Sequence, residues 1–81
     1  MNADHELLKN LDKLHTTELG VVRMKRNLSL DTEDVVDWCK TKINSANAVI
    51  TRNGKNWYVN VDNYILTVNG HSYTIITAHK K

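Results

Sequence analysis

The chain is expected to be an α+β protein, with two or three N-terminal helices packed on one face of a four-stranded antiparallel β-meander. Three observations predict this. In the first half of the 81 residues, leucines and other apolar side chains recur at helical spacing. From Ala48 onward the period changes to two. Three turn signals, Asn53-Gly54, Asp62-Asn63 and Asn69-Gly70, then cut the second half into four short runs.

The first helix is expected over about 4–14, where Leu7, Leu8, Leu11 and Leu14 share one side. Thr16 or Thr17 can cap a second helix over 17–27, with Glu18 in its first turn and Leu19, Val22 and Met24 as apolar positions. Gly20 blurs where this helix begins. The third helix, 32–44, is the clearest. Asp31 can cap it, Glu33 and Asp34 suit the positive end of its dipole, and Val35, Cys39 and Ile43 stack at spacing four beside Trp38. The acidic run Asp31, Glu33, Asp34 and Asp37 is what a capped helix start requires, so no metal site is read from it.

Strands are expected near 48–52, 56–61, 64–68 and 73–79. A two-residue loop at Asn53-Gly54 would set Ile50 opposite Trp57 and Ala48 opposite Val59. A second loop at Asp62-Asn63 would set Val61 opposite Tyr64, Val59 opposite Leu66 and Trp57 opposite Val68. That apolar side should meet the helices, with Trp57 and Trp38 as core anchors. The other side carries Thr51, Asn56, Tyr58, Asn60, Ile65 and Thr67 and should be open. The last strand has two readings. A two-residue third loop turns Tyr73, Ile75, Thr77 and His79 toward the helices. An odd-length loop turns Ser72, Thr74, Ile76 and Ala78 inward and leaves Tyr73, Thr77 and His79 on the open face. The stretch Gly70-His71-Ser72 could hold a bulge, and periodicity does not choose between the two.

Eighty-one residues make one domain. Cys39 is the only cysteine, which excludes an internal disulfide, suits a reducing compartment and reads as a core residue. No apolar stretch has the length of a signal peptide or membrane span, so a cytoplasmic location is expected. The net charge is only +2 but is unevenly spread: residues 1–47 carry seven Lys/Arg and eight Asp/Glu, and residues 48–81 carry four Lys/Arg and one Asp. Histidines at 5, 15, 71 and 79 have no metal-ligand spacing, and no glycine-rich phosphate loop or nucleophile elbow is present. No metal or cofactor is expected.

If His79 lies on the open face, RNA chemistry without a metal becomes a candidate. Such cleavage needs a base for the 2′-OH, an acid for the leaving oxygen and cations for the phosphate. Free imidazole changes charge near neutral pH, so a histidine such as His79 suits the first two roles. Arg23, Arg26, Arg52 or Lys55 can hold phosphate, Tyr58 and Tyr73 can stack on a base or donate a proton, and Asn60 and Thr67 can orient the substrate. His15 is a candidate second group. As ordinary surface residues, the arginines would be a solvated helix face and Tyr58 a cover for its strand neighbours.

The stretches RMKRNLSLDTEDVVDWCK (23–40) and GKNWYVNVDNYILTVNGHSYTIITAHK (54–80) resemble a small bacterial family of uncharacterised single-domain proteins, which implies no activity. A looser likeness is to the barnase, RelE and colicin-nuclease-like group. An arginine-bearing helix, a second helix and a meander closing on TIITAH are similar to those compact toxin-like ribonucleases. The resemblance implies a catalytic position at His79 with Thr77 beside it, and a helix arginine at Arg23 or Arg26. Many of that group carry a histidine before this arginine, where the present chain has Gly20, Val21 and Val22. Two function classes follow: a ribonuclease or RNA-binding domain using the open sheet face, and a small interaction or inhibitor protein binding a macromolecular partner through that face or a sheet edge.

Overall fold

A computed structural model describes residues 3–29 and 34–81. It contains α1 (Ala3–Lys9), a 3-10 turn (Leu11–Lys13), α2 (Glu18–Leu28) and α3 (Val35–Ile43), followed by β1 (Val49–Asn53), β2 (Asn56–Val61), β3 (Tyr64–Asn69) and β4 (Ile75–Lys80). The strands form one antiparallel sheet in the order β1-β2-β3-β4, the expected helices-then-meander arrangement.

The first helix is shorter than the leucine pattern predicts. It stops at Lys9, and Asn10 closes it by donating from Nδ2 to the Glu6 carbonyl at 2.8 Å. The 3-10 turn then drops Leu14 into the core and frees the next backbone groups. Those groups are needed elsewhere: the His15 N–H donates to the Tyr73 carbonyl at 3.2 Å, and the Ile75 N–H donates to the His15 carbonyl at 2.7 Å. A helix continued through Leu14 would have held them in its own ladder.

Of the two candidate caps, Thr17 caps α2, its hydroxyl accepting from the Gly20 N–H at 3.0 Å. Ser29 ends the helix in the left-handed region, φ 54°, its N–H turned back to Arg26 and Lys25. At α3 the cap is Asp34, which accepts from the Asp37 N–H at 2.9 Å. The alternative cap Asp31, and Glu33 with it, lie outside the described residues.

The first hairpin is shifted from its expected register. Asn53 still pairs, with Asn56, so the loop is Gly54-Lys55 and not Asn53-Gly54. Gly54 takes φ 63° at the first loop position, where a primed hairpin turn calls for glycine. Ile50 therefore lies opposite Val59, and Arg52 opposite Trp57. The slip is two residues, which keeps every side chain on its expected face. The second hairpin has the expected register, with Asp62 at φ 53°.

β4 follows neither simple alternation. Thr67 pairs with Thr77 but Val68 pairs with Ile75, so the register shifts and Ile76 is the extra residue of a bulge. Ile75 and Ala78 both turn into the core, while Thr77 and His79 face the other way. The strand starts at Ile75 because Tyr73 adopts φ 59°, within a turn closed by hydrogen bonds between Asn69 and both Tyr73 and Thr74.

Leu7, Leu14, Met24, Leu28, Val35, Cys39 and Ile43 from the helical side meet Trp57, Val59, Val61, Leu66, Val68, Ile75 and Ala78 of the sheet in one buried cluster. Burial pushes the Cys39 thiol up to about 12, so it is a protonated core group and not a nucleophile at neutral pH. Among the described residues no helix is long and apolar enough to cross a membrane.

Candidate functional site

The strand pairings arrange the uncovered face in rows. Val49, Asn60, Ile65 and His79 form one row, Thr51, Tyr58, Thr67 and Thr77 the next, and Asn53, Asn56 and Asn69 the third. Tyr58, Asn60 and Thr67 thus share the expected face, and His79 and Thr77 join them, as in one of the two readings left open for the last strand. The rows contain no lysine, arginine, aspartate or glutamate. Thr67 is 8% exposed despite having no helix above it, and Asn69 donates to Asn56 at 3.4 Å. This face carries no lysine, arginine or carboxylate charge.

Arg23 and Arg26 are not part of it. They are exposed on α2, whose buried residues Gly20, Met24 and Leu28 pack on the opposite side of the sheet. Among the described residues, His79 has no hydrogen-bond or ion-pair partner through its ring. His15 lies against Thr74, five residues from His79 along β4, a separation of roughly 15 Å in extended chain. The chemistry expected of His79 with a helix arginine is therefore not assembled on the open face.

The other expected residues converge elsewhere. The β1–β2 and β3–β4 turns lie at the same end of the sheet and are tied together, the Gly70 N–H donating to the Lys55 carbonyl at 2.7 Å. Here Arg52 lies over the Trp57 ring, 4.7 Å from its centroid, with its Nε–H donating to the Gly54 carbonyl at 3.1 Å. The Tyr73 ring packs on Trp57 at 5.4 Å, and Lys13 Nζ lies 5.6 Å from the Tyr73 centroid. Lys13, Tyr73, Trp57 and Arg52 thus form a cation–aromatic–aromatic–cation column. Gly70 makes room for it: a Cβ there would stand 2.6 Å from the Arg52 guanidinium carbon.

Arg52 was expected only as a phosphate-holding candidate, and Tyr73 was left open between the helix side and the open face. They belong to the helix side of this end, Arg52 because it pairs with inward-facing Trp57, Tyr73 because its positive φ precedes the strand. Next to them, the Lys13 carbonyl accepts from His15 Nδ1 at 3.0 Å. A carbonyl cannot donate, so Nδ1 carries the hydrogen, and in the neutral ring Nε2 accepts from the Thr74 hydroxyl at 3.0 Å. Ser72 continues the chain, 2.6 Å from Thr74, and with His71 it is held by the Asn69 side chain. Lys13, Arg52 and Lys55 are exposed, and none has an ion-pair partner among the described residues.

Lys13 was missed in the sequence because the leucine pattern placed it on the solvated side of a long helix. No local pattern marks it, because its position follows from the backbone bonds of His15 with Tyr73 and Ile75, which are tertiary.

That opposite end has its own cluster. Lys42 Nζ lies 5.6 Å from the Trp38 centroid and 5.4 Å from that of Tyr64, whose rings meet edge-on at 5.0 Å. Lys42 also donates to Asp62 at 2.8 Å. This hydrogen bond, and then the lysine charge, hold the Asp62 carboxyl below its ordinary value. An open depression of about 570 Å³, lined by Leu11, Asp12, Lys40, Thr41 and Asn44, contains none of the expected site residues. Among the described residues no three His, Cys, Asp or Glu side chains are grouped to hold a metal ion.

No curated protein and no solved structure matches the chain. A family model described as protein of unknown function (DUF3781) matches residues 8–79. The match spans nearly all of the 81 residues, and the chain belongs to this uncharacterised family.

Proposed function

We propose that this chain is an RNA-binding domain that holds the phosphate backbone at the turn end of its sheet. The observation that carries the reading is the placement of Lys13 and Arg52 against Tyr73 and Trp57, with Lys55 in the adjoining turn and no carboxylate partner among the described residues. Cations placed without a counter-charge attract phosphate and release its counterions. Arg52 offers the planar fork suited to phosphate oxygens, and the hydroxyls of Ser72 and Thr74 are adjacent. Trp57 is 1% exposed and cannot stack on a base, so recognition is by charge and not by sequence. The resemblance of the TIITAH strand to the barnase, RelE and colicin-nuclease-like group is an expectation from the sequence that would imply the same class of ligand, and a reducing cytoplasm would suit the unpaired Cys39. Catalysis by His79 is not part of the proposal, because the ring faces the neutral surface.

A second reading is favoured by that neutral surface. Its threonines, asparagines and single tyrosine suit a protein partner, as in a non-catalytic interaction or inhibitor protein. Fluorescence anisotropy with a labelled single-stranded oligoribonucleotide in chelator separates the two. The RNA reading predicts binding whose log K falls with log salt at a slope of about −2, from about three phosphate contacts. Absence of binding at low salt, or an affinity unmoved by combining Lys13→Gln, Arg52→Gln and Lys55→Gln, would favour the protein partner. Cleavage of the oligonucleotide by wild type but not by His79→Ala would instead restore a catalytic sheet face.

A further inference from the structure

Helix α2 has two stripes. Gly20, Met24 and Leu28 are buried against the sheet and the other helices. Leu19, Val22, Arg23 and Arg26 stand at spacings of three, four and seven on the outside, where helical periodicity brings them onto one face. Leu19 is 66% exposed and Val22 52% exposed, among the most exposed large aliphatic residues described. Single exposed aliphatic residues are ordinary, but a leucine and a valine on one face with two guanidinium groups are not scattered. Neither Arg23 nor Arg26 has an ion-pair partner among the described residues. Arg26 in the last turn suits the helix dipole; that role explains neither Arg23 nor the exposed aliphatic pair.

We infer that this outer stripe docks an acidic amphipathic segment of another protein, its aliphatic side chains on Leu19 and Val22 and its carboxylates on Arg23 and Arg26. Charge complementarity selects this occupant. A second copy of the same stripe would gather four guanidinium groups in one contact with no carboxylate of the stripe to answer them, and a nucleic acid would leave the aliphatic pair unused. Arginine beside aliphatic surface is also the composition of an interface centre. The stripe is separate from the turn-end cations, so the inference does not depend on RNA binding.

The test uses the full chain and two synthetic helical peptides, one with leucines along one face flanked by glutamates, the other with every glutamate replaced by lysine. Anisotropy should show binding of the glutamate peptide only. Arg23→Glu combined with Arg26→Glu should weaken that peptide at least tenfold and allow the lysine peptide to bind. Leu19→Ala with Val22→Ala should weaken the glutamate peptide without changing the charge preference. Equal affinity in the charge-reversed variant, no binding of the glutamate peptide, or equal binding of both peptides would overturn the inference. So would loss of oligoribonucleotide binding or of anionic-vesicle binding in the charge-reversed variant, which would assign the arginines to phosphate. Unchanged thermal melts of these exposed-site variants confirm that binding alone is being read.

Discussion

The two ends of the sheet are built from the same parts and differ in one. At the β2–β3 end, Lys42 lies over Trp38 and Tyr64 and also reaches Asp62 at 2.8 Å. At the other end, Lys13 and Arg52 flank Tyr73 and Trp57, with Lys55 in the neighbouring turn, and no carboxylate answers them among the described residues. A cation with both an aromatic face and a carboxylate is satisfied within the fold, so the first cluster reads as a structural clasp. A group of cations with aromatic faces alone keeps its long-range field, and on the proposed reading that field is what an anionic ligand would meet. The placement of one aspartate separates a closing interaction from the proposed binding surface.

The hardest way to break the comparison is to remove the shared support of the open end. Trp57→Ala should cost about 3–5 kcal/mol in chemical denaturation, since the side chain is fully enclosed. Trp38→Ala, at a half-buried position, should cost less. Equal losses would mean that the two clusters carry the fold alike. Next in size is the binding change. Replacing Lys13, Arg52 and Lys55 by glutamine should lower oligoribonucleotide affinity by roughly tenfold or more at low salt and flatten the salt slope from about −2 toward zero. His79→Ala and Tyr58→Ala on the neutral face should leave both quantities unchanged.

Much of this arrangement could be read from the residues, and the limits were physical. The apolar face of β2 and β3 followed from alternation between two short turns, because a buried face tolerates no odd slip. Even the misplaced first loop left the faces intact, since the error was two residues. β4 was ambiguous because Ile75 and Ala78 are both inward, a spacing that only a bulge permits and that periodicity does not encode. Arg52 and Lys55 were legible as candidate phosphate ligands, but the placement of Arg52 and the β1–β2 turn at the same end as Lys13 was not. It depends on the early end of α1 and on the His15 bridge to β4, both set by tertiary hydrogen bonds. His79 was the most visible residue in the sequence and stands apart from the cations.

Two smaller effects sharpen the account. Cys39 has a folded value near 12 against an ordinary 9.0, so the folded state keeps a proton that the unfolded chain releases. Its contribution is complete below pH 9.0 and should fall by about 1.4 kcal/mol per pH unit above it; Cys39→Ala should flatten that alkaline slope in denaturation curves. The smallest effect concerns the clasp. The lowered Asp62 value means its stabilisation is present above the ordinary carboxylate range and is lost as pH falls through the folded value. Asp62→Asn keeps a residue tolerant of positive φ and frees Lys42, so oligoribonucleotide binding should strengthen slightly while acid stability loses that contribution.

The central claim, that anionic ligands meet the end lacking a carboxylate, is tested most directly by titrating the labelled protein with single-stranded RNA and following backbone amide resonances. The account predicts shifts at Lys13, His15, Arg52 to Lys55 and Gly70 to Thr74, all reversed by added salt. Shifts centred on Thr51, Tyr58, Thr77 and His79, or on Lys42 and Asp62, would contradict it.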